Sequence, residues 1–220
     1  MNLDLYYLSR GPLFKFAFLF FIFGMTYRLL FVLFLGWKKD YAPARGSALR
    51  GLMKELVNHI WPSSARRDVY ARRMLALLAG FCFHVGAFIV ILFQPAHVKV
   101  WGEILGFEWP SFPMGVVDFG ASVAITSLLV IVVNQLTHPV RKLTTTPSQW
   151  VNIFFALLPL LTGWMTYHHL WLPYQTLLTL HMLAVDWLLI WMPLSKLSHV
   201  LYFVINFFNH GIKFGKMGTL

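Results

Sequence analysis

Residues 174–199 read YQTLLTLHMLAVDWLLIWMPLSKLSH, with His181 and His199 eighteen positions apart. From Tyr174 to Leu194 the stretch is apolar over about the 20 residues that a helix needs to cross a hydrocarbon core, with one carboxylate, Asp186, inside it. A strand cannot serve, because an open strand leaves its backbone groups unsatisfied in lipid. A helix advances about 100° and 1.5 Å per residue, so eighteen steps close about five turns over about 27 Å. Both imidazoles therefore lie on one face, separated by nearly the ~30 Å of a bilayer core. Imidazole in a membrane segment is costly and marks function by default. Two on one face predict two sites, one near each membrane surface.

The rest of the chain reads the same way. It has 220 residues, of which 58% are hydrophobic, 17% aromatic and 12% charged, and its mean hydropathy is +0.66. Soluble domains carry about 25% charged residues, so the composition predicts an integral membrane protein. The length suits one all-α domain of four to six spans covering residues 1–220. Five spans are drawn: 12–35, 74–93, 114–136, 150–167 and 174–194. Asp4 before Arg10, a long apolar run and no small-residue cleavage site argue for a retained first span rather than a signal peptide. The one cysteine, Cys82, excludes an internal disulfide and a four-cysteine iron–sulfur site within this chain.

The net charge of +10 would suggest nucleic acid in a soluble protein. Here fourteen of the 18 Lys and Arg fall on one side of the predicted spans. Lys38, Lys39, Arg45, Arg50, Lys54, Arg66, Arg67, Arg72 and Arg73 lie between spans one and two. Arg141 and Lys142 lie between three and four, and Lys196, Lys213 and Lys216 after five. The positive-inside rule then places the N-terminus outside and the C-terminus in the cytoplasm. No nucleic acid is expected. Within the long inner loop, residues 47–61 predict an amphipathic helix, with Leu49, Leu52, Met53, Leu56, Val57 and Ile60 as its apolar stripe. Ser47 would cap it and Pro62 end it. Such a helix lies on the lipid surface or docks a cytoplasmic subunit.

The ligand argument turns on the partners of His181 and His199. His84 lies about ten residues into span two, with Gly86 beside it to let a flat macrocycle approach the backbone. His97 follows thirteen residues later, about 220° away on a straight helix, so Pro95 must end or bend the helix near Phe93 and Gln94. Span two and span five run antiparallel. His84 and His199 are then both nearer the cytoplasm, and His97 and His181 both nearer the outside. Haem iron suits such pairs, because bis-histidine iron has no open position and transfers electrons. Zinc needs three or four protein ligands. His168 and His169, at the outer end of span four, are the alternative outer ligands. His138 reads as a cap or surface residue, and His59 and His210 have no evident partner.

At these residues the chain resembles a known family. The segments Phe83-His84-Val85-Gly86 and Met192-Pro193-Leu194-Ser195-Lys196-Leu197-Ser198-His199 are similar to the haem-binding helices of the gamma subunit of respiratory nitrate reductase. The eighteen-residue ligand spacing of that family's last helix maps onto His181 and His199. The His84–His97 interval is longer than in nitrate reductase. It resembles the cytochrome b subunits of sulfate-reducer membrane complexes, of the high-molecular-weight cytochrome and Dsr types, as does Phe112-Pro113-Met114-Gly115-Val116-Val117-Asp118. The resemblance implies two haem b groups, electron exchange with menaquinone, a cytoplasmic iron–sulfur subunit, a periplasmic multihaem cytochrome c and a bacterial or archaeal cytoplasmic membrane. No residue here matches the quinone-site lysine of nitrate reductase.

Two carboxylates and one cation complete the expectations. Quinol oxidation releases two protons, and Asp118 and Asp186 are the candidate acceptors near the outer haem. Each is otherwise a structural hydrogen-bonding group. Arg28, in span one, would pair with a haem propionate or snorkel to the surface. A haem-free anchor or assembly subunit of a multi-protein complex, with structural histidines, is the contrasting reading. A metal transporter using His and Asp is a third.

Overall fold

The computed structural model describes residues 3–35, 43–60 and 64–219, with side chains described except at 3, 59–60 and 64–73. Among these residues there are helices and no strands. In order they are α1 (Leu3–Arg10), α2 (Pro12–Phe34), α3 (Ala48–Ile60), α4 (Ser64–Phe93), α5 (Pro95–Leu105), α6 (Met114–Thr137), α7 (Pro139–Thr144), α8 (Pro147–His168), α9 (Tyr174–Leu194), a 3-10 turn (Lys196–Ser198) and α10 (His199–Met217). Five helical stretches are long and apolar enough to cross a membrane: Asp4–Phe34, Met74–Phe93, Met114–Thr137, Pro147–His168 and Tyr174–Leu194. They coincide with the five expected spans, differing chiefly at two ends.

Those two differences have local causes. Pro12 was expected to open the first span, but the helical ladder runs past it, with Gly11 N donating to Tyr7 O and Lys15 N to Gly11 O, both at 3.1 Å. A proline removes only its own donor, and the neighbours carry the helix back to Asp4. Span four starts at Pro147, three residues early. Gln149 Oε1 accepts from Thr146 N at 2.8 Å, and proline fits the first helical position because no donor is needed there. Pro62, Lys38 and Lys39 lie outside the described residues, as do the side chains of Ile60 and of Arg66, Arg67, Arg72 and Arg73.

Where one domain is expected over 1–220, the chain forms two compact units, residues 1–18 with 74–189 and residues 19–73 with 190–220. In the first, α4 meets α6 through small residues. A Cβ on Gly86 would strike Gly120 O and lie 3.0 Å from Ala124 N. Small residues let helix backbones approach where lipid supplies no hydrophobic drive. The macrocycle role expected for Gly86 is thereby corrected: the close approach it allows is to α6. In the second unit, α3 packs on α10, again through glycine. Gly51 faces the Gly211 and Gly215 backbone, and Arg45 N and Gly46 N donate to Lys216 O at 2.9 and 3.0 Å.

Candidate functional site: a histidine pair

The break at Pro95 builds the site. α4 ends at Phe93, Gln94 takes an extended conformation (φ −69°, ψ 130°), and Pro95 opens α5. The Gln94 side chain caps the new helix by accepting from His97 N at 2.7 Å, as N-cap residues do. A helix end leaves its last four carbonyls without partners, and here residues just downstream satisfy all four. His97 Nδ1 donates to Val90 O at 2.8 Å, Trp101 Nε1 to Ile91 O at 3.0 Å and Trp109 Nε1 to Leu92 O at 2.7 Å. Phe112 N donates to Phe93 O at 2.9 Å. His97 is thus turned and fixed by the break itself.

Turned in this way, His97 meets His181. The ring centroids are 6.0 Å apart and the planes 16° from parallel. On the α9 side, His181 Nδ1 donates to Pro159 O of α8 at 2.9 Å. Its ring lies against Gly163, where a Cβ would come 2.9 Å from His181 Cε1. Burial lowers the His97 pKa below the usual imidazole value, against the opposing pull of the Val90 carbonyl. The ring is therefore neutral, the form that binds a metal.

A backbone carbonyl can only accept, so each of these rings carries its proton on Nδ1 and its lone pair on Nε2. Nε2 of His97 and of His181 takes part in no hydrogen bond among the described residues. In His84 and His199, too, Nδ1 lies on a backbone carbonyl, Gly80 O at 2.7 Å and Lys196 O at 3.0 Å. Metal-binding histidines characteristically anchor the second nitrogen in this way. The other described histidines are used differently. His138 Nδ1 accepts from Arg141 N at 3.4 Å. His168 Nε2 pairs with Asp118 Oδ1 at 2.8 Å, His169 packs beside Tyr174, and His210 Nδ1 lies 3.2 Å from Glu55 Oε2. Of the alternative partners for His181, His168 is thus held by Asp118, and His169 takes the left-handed position that ends α8.

A haem fits the donor set at His97 and His181. Two neutral imidazoles with ring centroids 6.0 Å apart would each have one nitrogen to offer a haem iron. No three of His, Cys, Asp and Glu gather as a metal cluster among the described residues. A macrocycle supplies four nitrogens of its own, so two histidines complete it. His84 belongs to the first compact unit and His199 to the second, and each is exposed in its own helix.

The remaining expected residues divide. Asp118 is held by His168, whose ring also packs on Trp164 at 4.6 Å. This pairing was not read from the sequence, since fifty residues separate the two. The Trp164 Nε1 beside it is buried and has no hydrogen-bond partner among the described residues. Asp186 is 1% exposed, and neither of its oxygens has a hydrogen-bond partner among the described residues. Arg28, expected at a haem propionate or snorkelling to the surface, lies beside the end of α9. Its guanidinium donates to Pro193 O and, at 3.3 Å, to Tyr202 Oη. Proline at 193 and the helix end beside it put an under-satisfied carbonyl within reach of a charged donor, and that carbonyl takes the guanidinium.

The fold is that of a helical protein with five helices long and apolar enough to cross a membrane, consistent with a multi-pass membrane protein, and with a half-buried histidine pair. The chain is 28% identical over 206 residues to a protein of Nitratidesulfovibrio vulgaris strain Hildenborough described simply as "Protein", the match covering 92% of this chain and 90% of the relative. No family model and no solved structure matches.

Proposed function

We propose that the chain is a di-haem cytochrome b subunit of a respiratory membrane complex, moving electrons between a quinone pool and partner redox subunits. The observation that supports this reading is the His97–His181 pair, 6.0 Å between ring centroids with both Nδ1 atoms on backbone carbonyls. Bound there, haem b supplies a one-electron couple with no open coordination position. The protein's own part is to hold two neutral imidazoles in fixed tautomers and keep water from them. Rigid anchoring of both rings lowers the reorganisation needed on electron transfer. His84 and His199 are the second pair in this reading, by the family resemblance of the segments that carry them; the continuous helix on which the eighteen-residue register was drawn is broken, since α9 ends at Leu194 and His199 opens α10.

Protons have their own route. His168 with Asp118 is an imidazole–carboxylate pair of intermediate exposure, suited to accept a proton from a quinol hydroxyl and pass it to water. Asp186, deeper by about 7.5 Å of helical rise from His181, is the second candidate acceptor. The orientation, with His97 and His181 toward the outside, the bacterial or archaeal cytoplasmic membrane, menaquinone, the cytoplasmic iron–sulfur subunit and the periplasmic multihaem cytochrome c belong to the same proposal.

The test is optical. The purified full chain should show a b-type α-band in its reduced-minus-oxidised spectrum, with two haems per chain. His97→Ala should lose one haem and keep the other. A chain without the α-band would make it a haem-free anchor with structural histidines. Two haems retained in His97→Ala would move the outer ligand to His168 or His169.

A further inference from the structure

We infer that α3 is a lipid-binding face of this protein, seated in the surface of an anionic membrane leaflet. The argument starts from which side of α3 meets α10. Gly51, Glu55 and Asn58 are buried, and at about 100° per residue they share one arc of the helix. Gly51 lies against Gly211 and Gly215, and Glu55 beside His210. The small and polar side of α3 is therefore the packed side. Its apolar arc, Leu49, Met53, Leu56 and Val57, points the opposite way and is 45–68% exposed. A helix packed onto a water-soluble core buries its apolar stripe; α3 does the reverse.

Charge and position say what covers that stripe. Arg50 and Lys54 border the apolar arc, and both are exposed. Arg45 stands just before the helix and is also exposed, whereas the one acid of α3, Glu55, is 4% exposed. The outward surface of α3 is thus aliphatic with a cationic edge and carries no aromatic residue. Protein interfaces are instead enriched at their core in Tyr, Trp and Phe. An apolar face flanked by Lys and Arg is the pattern of helices that sit at the headgroup–acyl boundary. The partner helix holds α3 at that level. Tyr202, in the first turn of α10, accepts from Arg28, which lies six residues before the end of α2 at Phe34. α10 therefore begins beside the last two turns of a predicted span, about 9 Å along its axis from its end. On the side of α10 turned from α3, Asn206, Lys213 and Lys216 are exposed, while Phe203, Phe208 and Phe214 are exposed on its flanks.

Spin labels on the full chain test this. Labels are placed singly at Leu49, Met53, Val57 and Lys54, with Cys82→Ser, in copolymer discs cut directly from the expressing membrane with native lipid and any bound subunit. Leu49, Met53 and Val57 face away from α10 and Lys54 is exposed at the edge of the packed side, so the labels leave the glycine contact with α10 intact. Oxygen should relax the labels at 49, 53 and 57 severalfold more than a water-soluble nickel complex does, with the order reversed at 54. Strong nickel access at all three apolar positions would put the face in water, and exclusion of both reagents would mean that a protein subunit covers it. Either result overturns the proposal. In discs of phosphatidylcholine with phosphatidylglycerol, nickel access at 53 should be severalfold lower than in phosphatidylcholine alone, and Arg50→Gln with Lys54→Gln should abolish the difference. Equal access in the two lipids would overturn the anionic preference. None of these readouts depends on haem.

Discussion

Two helix breaks in this protein lie next to proposed ligands, and they are built differently. At Pro95 the break is closed by its own neighbourhood. Gln94, His97, Trp101, Trp109 and Phe112 cap the new helix and cover the last four carbonyls of the old one, all within 19 positions. At Pro193 the break needs help from afar. Ser195 accepts from Leu197 N at 3.1 Å and Ser198 Oγ donates to Ser195 O at 2.7 Å, but the Pro193 carbonyl is taken by Arg28, 165 positions away. One break is a local device that re-aims a histidine. The other is a tertiary device that ties two helices together.

That difference ranks the expected effects. Arg28→Ala should cost the most, about 2–3 kcal/mol, because it removes a charged hydrogen bond and leaves a carbonyl stranded in an apolar span. The measurement is the unfolding free energy in detergent–SDS titration. A cost no larger than that of the caps at Pro95 would erase the distinction between the breaks.

Glycines facing each break come next. A Cβ on Gly24 would lie 2.6 Å from Pro193 Cβ, and one on Gly163 would lie 2.9 Å from His181 Cε1. Overpacking costs about 1–3 kcal/mol, and Gly24→Ala should sit near the middle of that range because the proline ring cannot turn aside. Gly163→Ala should cost less stability, since an imidazole can shift. If haem is bound there, its spectrum should change while that of Gly24→Ala does not. Equal spectra for the two variants would separate Gly163 from the His181 environment.

The smallest effect belongs to Gln94→Ala, at about 1 kcal/mol for a lost N-cap. Its neighbours at Trp101 and Trp109 still hold the α4 carbonyls, so the break should survive. Hydrogen exchange at His97 and Val98 should rise while exchange in α9 stays unchanged. A rise across α9 as well would show that the Pro95 break is not self-contained.

Legibility followed the same division. The five spans could be read because an apolar run of about 20 residues in lipid has helix as its one stable state. The re-aiming of His97 was also readable, since Pro95 removes a donor and disfavours the helical conformation before it. The partner of Asp118 was not, because nothing in the fifty residues before His168 marks the encounter. Gly86 was read as room for a macrocycle, and it gives that room to Gly120 instead. The apolar stripe on α3 was legible in its spacing, but the packing of its small and polar side on α10 was not, because Gly211 and Gly215 lie far along the chain.

By itself the sequence determined which stretches are long and apolar enough to cross a membrane and where a helix must stop. Those properties depend on hydration of the local backbone and on residue spacing, which short stretches carry. Only the tertiary structure decided what each polar group meets: His97 with His181, His168 with Asp118, Arg28 with Pro193. Such pairings depend on how closely two helices approach, and in this protein that distance is set by glycines and prolines far apart along the chain.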